Sequence, residues 1–196
     1  DKSLLRHTNE RFWMLETIRE YAWERLAASG EEAELRQREA LFVLDLAEVA
    51  MQAAEEGGDQ IELYARIGAE VDNVRSALEW ARDERENDAL PRLVAAVNRV
   101  WTNRGHYEEL DKWLSLALER AESPVGARMS VLRAATGRAM YSGDYARADE
   151  LIAEWRSLAE QAGDENQVLT ALNSEALNAA ERGEVDHARA QFNVIR

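Results

Sequence analysis

The chain has 196 residues, and 46% of them are hydrophobic, which is enough to bury a core. Its 38 acidic and 24 basic residues give a net charge of −14, which argues against a protein whose main task is to grip nucleic acid, because phosphate contacts need Lys and Arg in surplus. The absence of cysteine excludes disulfides and thiolate chemistry and fits a reducing compartment.

The first predicted element is a β-hairpin. Residues 2–7 ("KSLLRH") and 11–15 ("RFWML") place apolar and aromatic side chains on both sides of the polar turn "TNE". Because a lone hairpin is only marginally stable in water, we expect this one to dock on a helix.

Everything after the hairpin is predicted to be helical. A first helix is indicated by four apolar residues at spacings of three and four: Leu15, Ile18, Ala22 and Leu26. Gly30 ends this helix, and a second helix over residues 32–55 is broken by Gly57-Gly58. Four residues of the second helix are expected to face inward: Leu35, Phe42, Leu46 and Val49.

The next apolar run has one face and an internal glycine. The face consists of six residues: Tyr64, Ile67, Val71, Val74, Leu78 and Ala81. Gly68 lies inside the run, which leaves two options, one continuous helix or two helices split near this glycine.

From residue 88 the periodicity becomes regular. Six helices are predicted, over residues 89–104, 106–122, 125–142, 144–162, 166–182 and 184–196. A glycine lies between the two helices of each pair: Gly105, Gly143 and Gly183. These glycines are 38 and 40 residues apart, so the chain contains an internal repeat of helical hairpins.

Each repeat carries similar residues at fixed distances from its glycine. A polar or acidic residue starts the second helix, where the helix dipole favours it: His106, Asp144 and Glu184. The next residue is expected to wedge between the helices: Tyr107, Tyr145 and Val185. Further on come residues for close helix approach (Leu110, Ala148 and Ala188) and for contact with the next hairpin (Leu114, Ile152 and Phe192). Because one hairpin cannot bury its apolar face alone, the hairpins are predicted to stack.

This pattern of Gly, acidic residue, Tyr, Ala and apolar residue resembles the tetratricopeptide repeat (TPR). The family's period is 34 residues, which is shorter than the spacings here. The family's Leu-Gly pair in the first helix is absent in its strict form, because Gly137 lies one position away from the place of that glycine. The resemblance implies an all-α fold, a TPR-like right-handed stack of helical hairpins preceded by the small β-hairpin. It also implies that the first helix of each pair lines a concave surface.

Three segments carry a second resemblance: "MLETIREYAWERL" (14–26), "AEVDNVRSALEWA" (69–81) and "RVWTNRGHYEELDKWLSLAL" (99–118). They resemble the bacterial signal-transduction NTPases with numerous domains (STAND NTPases), including AfsR- and LuxR-type ATP-binding regulators. The resemblance implies an upstream NTPase domain and the following divisions: residues 1–30 as the end of a winged-helix module, 31–87 as a helical linker with the first helices of the array, and 88–196 as TPR-like repeats over 89–122, 125–162 and 166–196.

Motifs for catalysis, cofactors and metals are missing from the sequence. A phosphate-binding loop needs glycines followed by Lys and Ser or Thr, but Gly57-Gly58 is followed by Asp59. The histidines are far apart in the sequence, which favours capping or surface positions over a metal site: His7, His106 and His187. No nucleophile motif suggests a Ser/His/Asp arrangement. We therefore expect no cofactor, no metal and no enzymatic activity in this chain.

The tryptophans on the helices are interpreted as core residues, because they lie at apolar-face positions: Trp80, Trp101, Trp113 and Trp155. No apolar run is long enough to span a membrane and no signal peptide is visible, so we expect a cytoplasmic protein without membrane contacts. The chain starts at Asp1 and stops at "QFNVIR" inside a helical pattern, and we interpret it as a fragment of a longer protein.

Net charge alternates between the two helices of each predicted pair. Residues 88–104 and 124–142 carry net charges of +2 and +3, whereas residues 106–122 and 144–164 carry −3 and −4. Residues 165–182 break this trend. If the first helices line the concave surface, as the TPR resemblance implies, an acidic protein has a basic groove, and Arg suits bidentate capture of carboxylate or phosphate.

The TPR family's groove positions, placed on this sequence, imply six lining residues: Arg92, Arg99, Asn103, Arg133, Tyr141 and Asn173. Arg138 is a seventh candidate. Arg99, Arg133 and Arg138 have no carboxylate three or four residues away, so no pair within their own helix neutralises them. The alternative is that the arginines pair with carboxylates of neighbouring helices, which would make them structural.

The predicted function is a non-enzymatic sensor and protein-interaction arm of a bacterial transcriptional regulator, which binds a protein, a peptide or a small anionic effector in the groove. One alternative is self-association, because the exposed ends of repeat arrays can stack on each other. Another is DNA contact through the hairpin, where Lys2, Arg6 and Arg11 lie beside Asp1 and Glu10. The net charge disfavours this alternative, and we expect no nucleic acid to bind this chain.

Overall fold

The computed structural model describes residues 4–8, 11–84, 88–120 and 123–195. In these ranges the fold is all-α apart from one antiparallel hairpin, β1 (Leu5–Thr8) and β2 (Arg11–Met14). Leu5 pairs with Met14, and Thr8 pairs with Arg11. The predicted fold class, helices with a small N-terminal β-hairpin, is confirmed.

The helices of the described ranges follow the sequence pattern closely. Their bounds are α1 (Glu16–Ser29), α2 (Glu32–Glu55), α3 (Gln60–Ala69), α4 (Val71–Asp83), α5 (Ala89–Arg104), α6 (Tyr107–Leu118), α7 (Val125–Ser142), α8 (Tyr145–Ala162), α9 (Glu165–Glu181) and α10 (Val185–Ile195). The largest difference is the end of α6, which ends at Leu118 although the prediction extends to residue 122; residues 121–122 lie outside the described ranges. No helix described here combines the length and the apolarity that a membrane crossing requires.

The run around Gly68 forms two helices, which settles the two options left by the sequence. The break falls at Glu70, two residues after the glycine, and the Glu70 N–H donates to the Ile67 carbonyl. The predicted face is correct in both halves, since Ile67, Val74 and Leu78 are buried.

The chain divides into two compact units, residues 1–39 and 40–196. The sequence predicts boundaries after residues 30 and 87 instead, and that domain assignment stays a prediction. In the first unit no residue of α1 is buried, and Phe12 of the hairpin is 70% exposed. The expected burial of the hairpin against a helix is therefore not observed. Cation–π contacts order this unit locally, with Arg6 over Trp13 and Arg36 over Trp23.

The inward face predicted for α2 is wrong. Phe42 is 68% exposed and Val49 is 58% exposed, while Leu35 is also exposed and Leu46 is only partly buried. The buried face consists of smaller residues: Ala40, Val43, Leu44, Ala47 and Ala50. This helix has apolar residues on more than one side, and the alanine-rich side is the one that packs closely against the core of the second unit.

The predicted glycine turns between paired helices are confirmed. Gly105, Gly143 and Gly183 have φ values of 78°, 79° and 83°, in the left-handed region that glycine adopts most easily. At Gly143 the following Asp144 N–H donates to the Ala139 carbonyl over 2.9 Å, which is the Schellman arrangement of a helix end. The Asp144 side chain then accepts from the Arg147 N–H and begins α8.

The packing positions of the repeat are confirmed in part. The close-approach residues are buried, and so are the next-hairpin residues of the first two repeats: Leu110, Ala148, Ala188, Leu114 and Ile152. Val185 and Phe192 are exceptions, because both keep much of their surface exposed on α10. Trp101, Trp113 and Trp155 are buried and Trp80 is partly buried, as predicted for core residues.

Candidate ligand-binding groove

Helices α5, α7 and α9, the first helices of the three pairs, line one groove together with parts of α2 and α3. We call it the first-helix groove; its polar lining on the three repeats includes Asn98, Arg99, Arg133, Thr136, Thr170 and Asn173. Its volume is about 340 Å³, at the lower end of the range of small-molecule sites. The first helices of the three pairs thus line one groove, which the TPR resemblance implied.

Helical periodicity explains which residues of α7 reach the groove. Arg133, Thr136, Gly137 and Met140 are spaced by three and four residues, so they lie on one face of the helix. On α9 the same rule brings Thr170, Asn173, Ser174 and Leu177 to the groove. Alanines of α2, α5 and α7 form much of the rest and keep the groove open.

Both charged side chains among the described residues of the first-helix groove are arginines, Arg99 and Arg133. Arg99 is exposed and takes part in none of the ion pairs found among the described residues, and Arg133 is half-buried. No carboxylate is among the described lining residues, although the whole chain carries 38 acidic residues. The described charged lining is therefore entirely basic, on a protein with a net charge of −14.

Three of the seven predicted site residues lie in the first-helix groove: Arg99, Arg133 and Asn173. The structure places the other four outside it. Asn103 is exposed beyond the groove near the end of α5. Arg92, Arg138 and Tyr141 make other contacts.

Arg92 pairs with carboxylates, which is the outcome expected if the arginine is structural. Its guanidinium donates two hydrogen bonds to the Glu48 carboxylate, over 2.8 and 2.7 Å, and lies 3.4 Å from Asp88. These hydrogen bonds raise the pKa of Arg92 above its usual value. Arg92 precedes Arg99 by two helical turns on α5. At this position its side chain lies opposite Glu48 of α2.

Arg138 points away from the groove for a reason that lies in the helix geometry. It follows Arg133 by five residues, which rotates it by about 140° around α7. It donates to Asp111 over 2.8 Å and its guanidinium lies 5.1 Å from the ring centre of Tyr107. The Tyr107 hydroxyl lies 3.0 Å from that of Tyr141, a hydrogen bond that raises the pKa of Tyr107. Arg138 and Tyr141 therefore join neighbouring repeats on another surface.

A second cavity, of about 190 Å³, lies among α8, α9 and α10. Its charges are matched, since Arg156 pairs with Glu175 over 2.9 Å and Arg182 pairs with Asp149 and Glu184. The described residues contain no group of His, Cys, Asp and Glu side chains that could hold a metal ion. His106 and His187 lie near the starts of α6 and α10, and His187 borders this second cavity.

The DNA-contact alternative rests largely on residues that the structure does not describe in full. Lys2, Asp1 and Glu10 lie outside the described ranges, and Arg6 lies over the ring of Trp13.

Sequence reasoning missed most of the lining of the first-helix groove, including Thr136 and Gly137. Gly137 had a detectable signal, because a glycine in the middle of a predicted 18-residue helix lowers helix stability without ending the helix. Thr136 had no such signal in the sequence, because only the three-dimensional contacts show what its hydroxyl meets.

Comparison with known proteins finds relatives over part of the chain. Three curated mycobacterial proteins, one from Mycobacterium bovis and two from strains of Mycobacterium tuberculosis, are 33% identical to it over 109 residues. Each is named "Putative HTH-type transcriptional regulator". The match covers 56% of this chain and 12% of the length of each relative. No protein-family model matches the chain, and no solved structure is significantly similar to it.

Proposed function

We propose that this chain is a non-enzymatic ligand-binding arm of a bacterial transcriptional regulator, and that the first-helix groove binds an anionic partner. The observation that carries the proposal is that the described charged residues lining the groove are Arg99 and Arg133, in a chain of net charge −14. The similarity to mycobacterial regulators supports the regulatory context. We also propose that the whole regulator has DNA-binding and NTPase activities.

The two arginines suit this role for physical reasons. A guanidinium offers a planar fork of donors that matches a carboxylate or phosphate, and it keeps its charge at every physiological pH. Arg99 gains a partner when an anion arrives, because no described carboxylate holds it in an ion pair. The surrounding acidic surface repels anions elsewhere, which favours the groove over nonspecific binding.

Ligand binding in the groove can control a regulator only through different affinities for two states. The groove is built from five helices that belong to successive hairpins, so a ligand contacts several hairpins at once. A ligand that binds best when these hairpins hold one relative arrangement shifts the population toward it. We propose a cytoplasmic location and a sensor role together with this function.

The experiment is an NMR titration of the ¹⁵N-labelled chain with a hexaglutamate peptide and, separately, with inorganic phosphate at low ionic strength. We expect amide shifts to change on the groove sides of α5, α7 and α9, and the changes to weaken with added salt. The double substitution Arg99→Ala/Arg133→Ala should remove most of them.

The matched control removes two arginines of exposed local pairs, Arg19→Ala/Arg147→Ala, and so changes the net charge equally. This variant should bind as the original chain does. Shifts that spread over the acidic surface, or that survive the groove substitutions, would show that the groove does not bind anions.

Self-association is a second candidate, and the exposed Val185 and Phe192 of α10 favour it. These side chains border a surface depression with Ala180 and Ala188. A second copy could cover this surface, since repeat arrays bury apolar ends by stacking.

A further inference from the structure

The hydroxyl of Thr136 in the first-helix groove lacks the partner that a helical hydroxyl normally finds. Ser130, Thr170 and Ser174 line the same groove, and each donates to the carbonyl four residues earlier, over 3.0, 2.7 and 3.0 Å. Thr136 is 2% exposed, and its Oγ1 forms no hydrogen bond within the described part of the chain. A buried hydroxyl without a partner destabilises a fold, so the neighbouring residues alone do not explain it.

Gly137 is a second destabilising choice on the same helix face. It lies in the interior of α7 with helical geometry, where glycine is less stable than alanine. A Cβ atom at this position would meet none of the described residues within 4 Å, so no close packing against them requires a glycine. The open space in front of Gly137 belongs to the groove.

The groove beside these two residues combines charge with apolar surface. Arg133 precedes Thr136 by one turn, and Met140 follows it by one turn. Ile67, Val100 and Leu177 contribute further apolar surface from three other helices. An occupant that matches this lining has an anionic group, a polar atom within reach of a hydroxyl and an apolar body.

We propose that the first-helix groove binds a small amphipathic organic acid, whose anionic group contacts Arg99 and Arg133 and whose apolar body lies over Gly137. The Thr136 hydroxyl is enclosed in the structure, and on binding a rotation of the Thr136 side chain brings it to the ligand's polar end. This inference rests on the proposed anion binding and adds the ligand class and two contact residues. It also explains why α7 keeps two residues that lower its stability, since binding sites commonly sacrifice stability for function.

The size of the groove favours a small molecule over a polypeptide. A volume of about 340 Å³ suits a compact ligand, whereas an extended peptide would need apolar or hydrogen-bonding subsites along a longer surface. The lining from five helices surrounds a compact ligand on several sides.

The test uses the straight-chain carboxylates hexanoate, octanoate and decanoate as probes, with decylammonium as the cationic control. Binding is followed by amide shifts in the first-helix groove, so that association with exposed apolar residues elsewhere is recognised separately. We expect the affinity to rise up to about fourfold for each added methylene until the groove is filled. Decylammonium should leave the groove amides unchanged.

Two substitutions separate binding from folding. Gly137→Leu should fill the open space and reduce decanoate affinity at least about tenfold. Thr136→Val removes the unpartnered hydroxyl at nearly constant shape, and we expect weaker decanoate binding with a midpoint of urea unfolding that is unchanged or higher. The matched control is Gly126→Leu, which changes a second open glycine of α7 that lies outside the groove and should not alter binding.

Each outcome decides the question. Decanoate binding that is insensitive to Gly137→Leu, or groove shifts with decylammonium of equal size, would overturn the inference. If hexaglutamate shifts the groove amides and no carboxylate of the series does, the groove takes acidic peptides, and only the proposed ligand class is wrong. If neither probe binds there, the proposed anion binding fails as well.

Discussion

At the scale of single residues, long-range neighbours decide what each arginine does. Arg92 and Arg99 lie on the same helix two turns apart, yet one meets the Glu48 carboxylate and the other meets the first-helix groove. Arg138 meets Asp111 from the preceding repeat. The residues next to each arginine in the sequence do not show which partner it has, because ion pairs between helices depend on residues that are tens of positions away.

The Arg92–Glu48 pair should contribute measurably to stability. Its bidentate geometry favours a real contribution, but both side chains remain about a third exposed or more, so solvent screening reduces it. A double-mutant cycle with Arg92→Ala and Glu48→Ala, measured by urea unfolding, should give a coupling free energy of about 1 kcal/mol.

The control for this cycle is the exposed pair Arg147–Glu150, three residues apart on α8. Its coupling should be at most about 0.5 kcal/mol, as for exposed pairs within a helix. Equal coupling for the two pairs would contradict the idea that the α2–α5 pair is structural.

At the scale of the elements, the glycines fall into two classes that composition does not distinguish. Gly143 ends α7 with positive φ, whereas Gly137 and Gly126 lie within the same helix with ordinary helical geometry. Alanine is strained at the first kind of position and favourable at the second.

We therefore expect Gly143→Ala to lower the free energy of unfolding by about 1 kcal/mol. Gly126→Ala, the matched change on the same helix, should raise it by up to about 1 kcal/mol, because the added methyl group meets open space. Urea unfolding of both variants provides the measurement. The same sign of change for both would contradict the assignment of Gly143 as the helix-ending residue.

The second helix shows where element-level reasoning fails. Its large apolar side chains, among them Phe42 and Val49, led to the prediction that they face inward. The buried face is instead formed around Ala40, Ala47 and Ala50. Close packing of helices selects small residues, and hydrophobicity alone does not reveal which of two apolar sides meets a neighbour.

At the scale of the whole molecule, the exposed apolar surface of α10 bears on the assembly of the chain. If copies associate through Val185 and Phe192, the mean mass in solution should increase with protein concentration. Phe192→Glu should keep the chain monomeric, because it places a charge on the surface that would be buried. Light scattering coupled to size-exclusion chromatography provides the mass.

Val49→Glu is the matched control, since Val49 is an exposed apolar residue of α2, far from Phe192 in the sequence. It should leave the self-association of the chain unchanged. A mass that stays monomeric at every concentration, or one that both substitutions lower equally, would reject association through α10.

The sequence by itself determined the elements of this protein and their order. Apolar periodicity set the helices, the glycines at 105, 143 and 183 set the turns, and the 38- and 40-residue spacings identified the repeat. The charge difference between paired helices also led to Arg99 and Arg133, which share the first-helix groove with Asn173, a residue predicted from helix spacing. These features depend on residues within one or two helical turns, so they can be read along the chain.

Only the tertiary structure decided which residues meet across helices. It assigned Arg92 to Glu48, turned Arg138 toward Asp111, buried the alanine side of α2 and gave the Thr136 hydroxyl no partner among the described residues. Each of these outcomes depends on the rotation of a helix and on a neighbour from another element. Such contacts arise only when the hairpins pack together, because local periodicity specifies a helix face but not what that face meets.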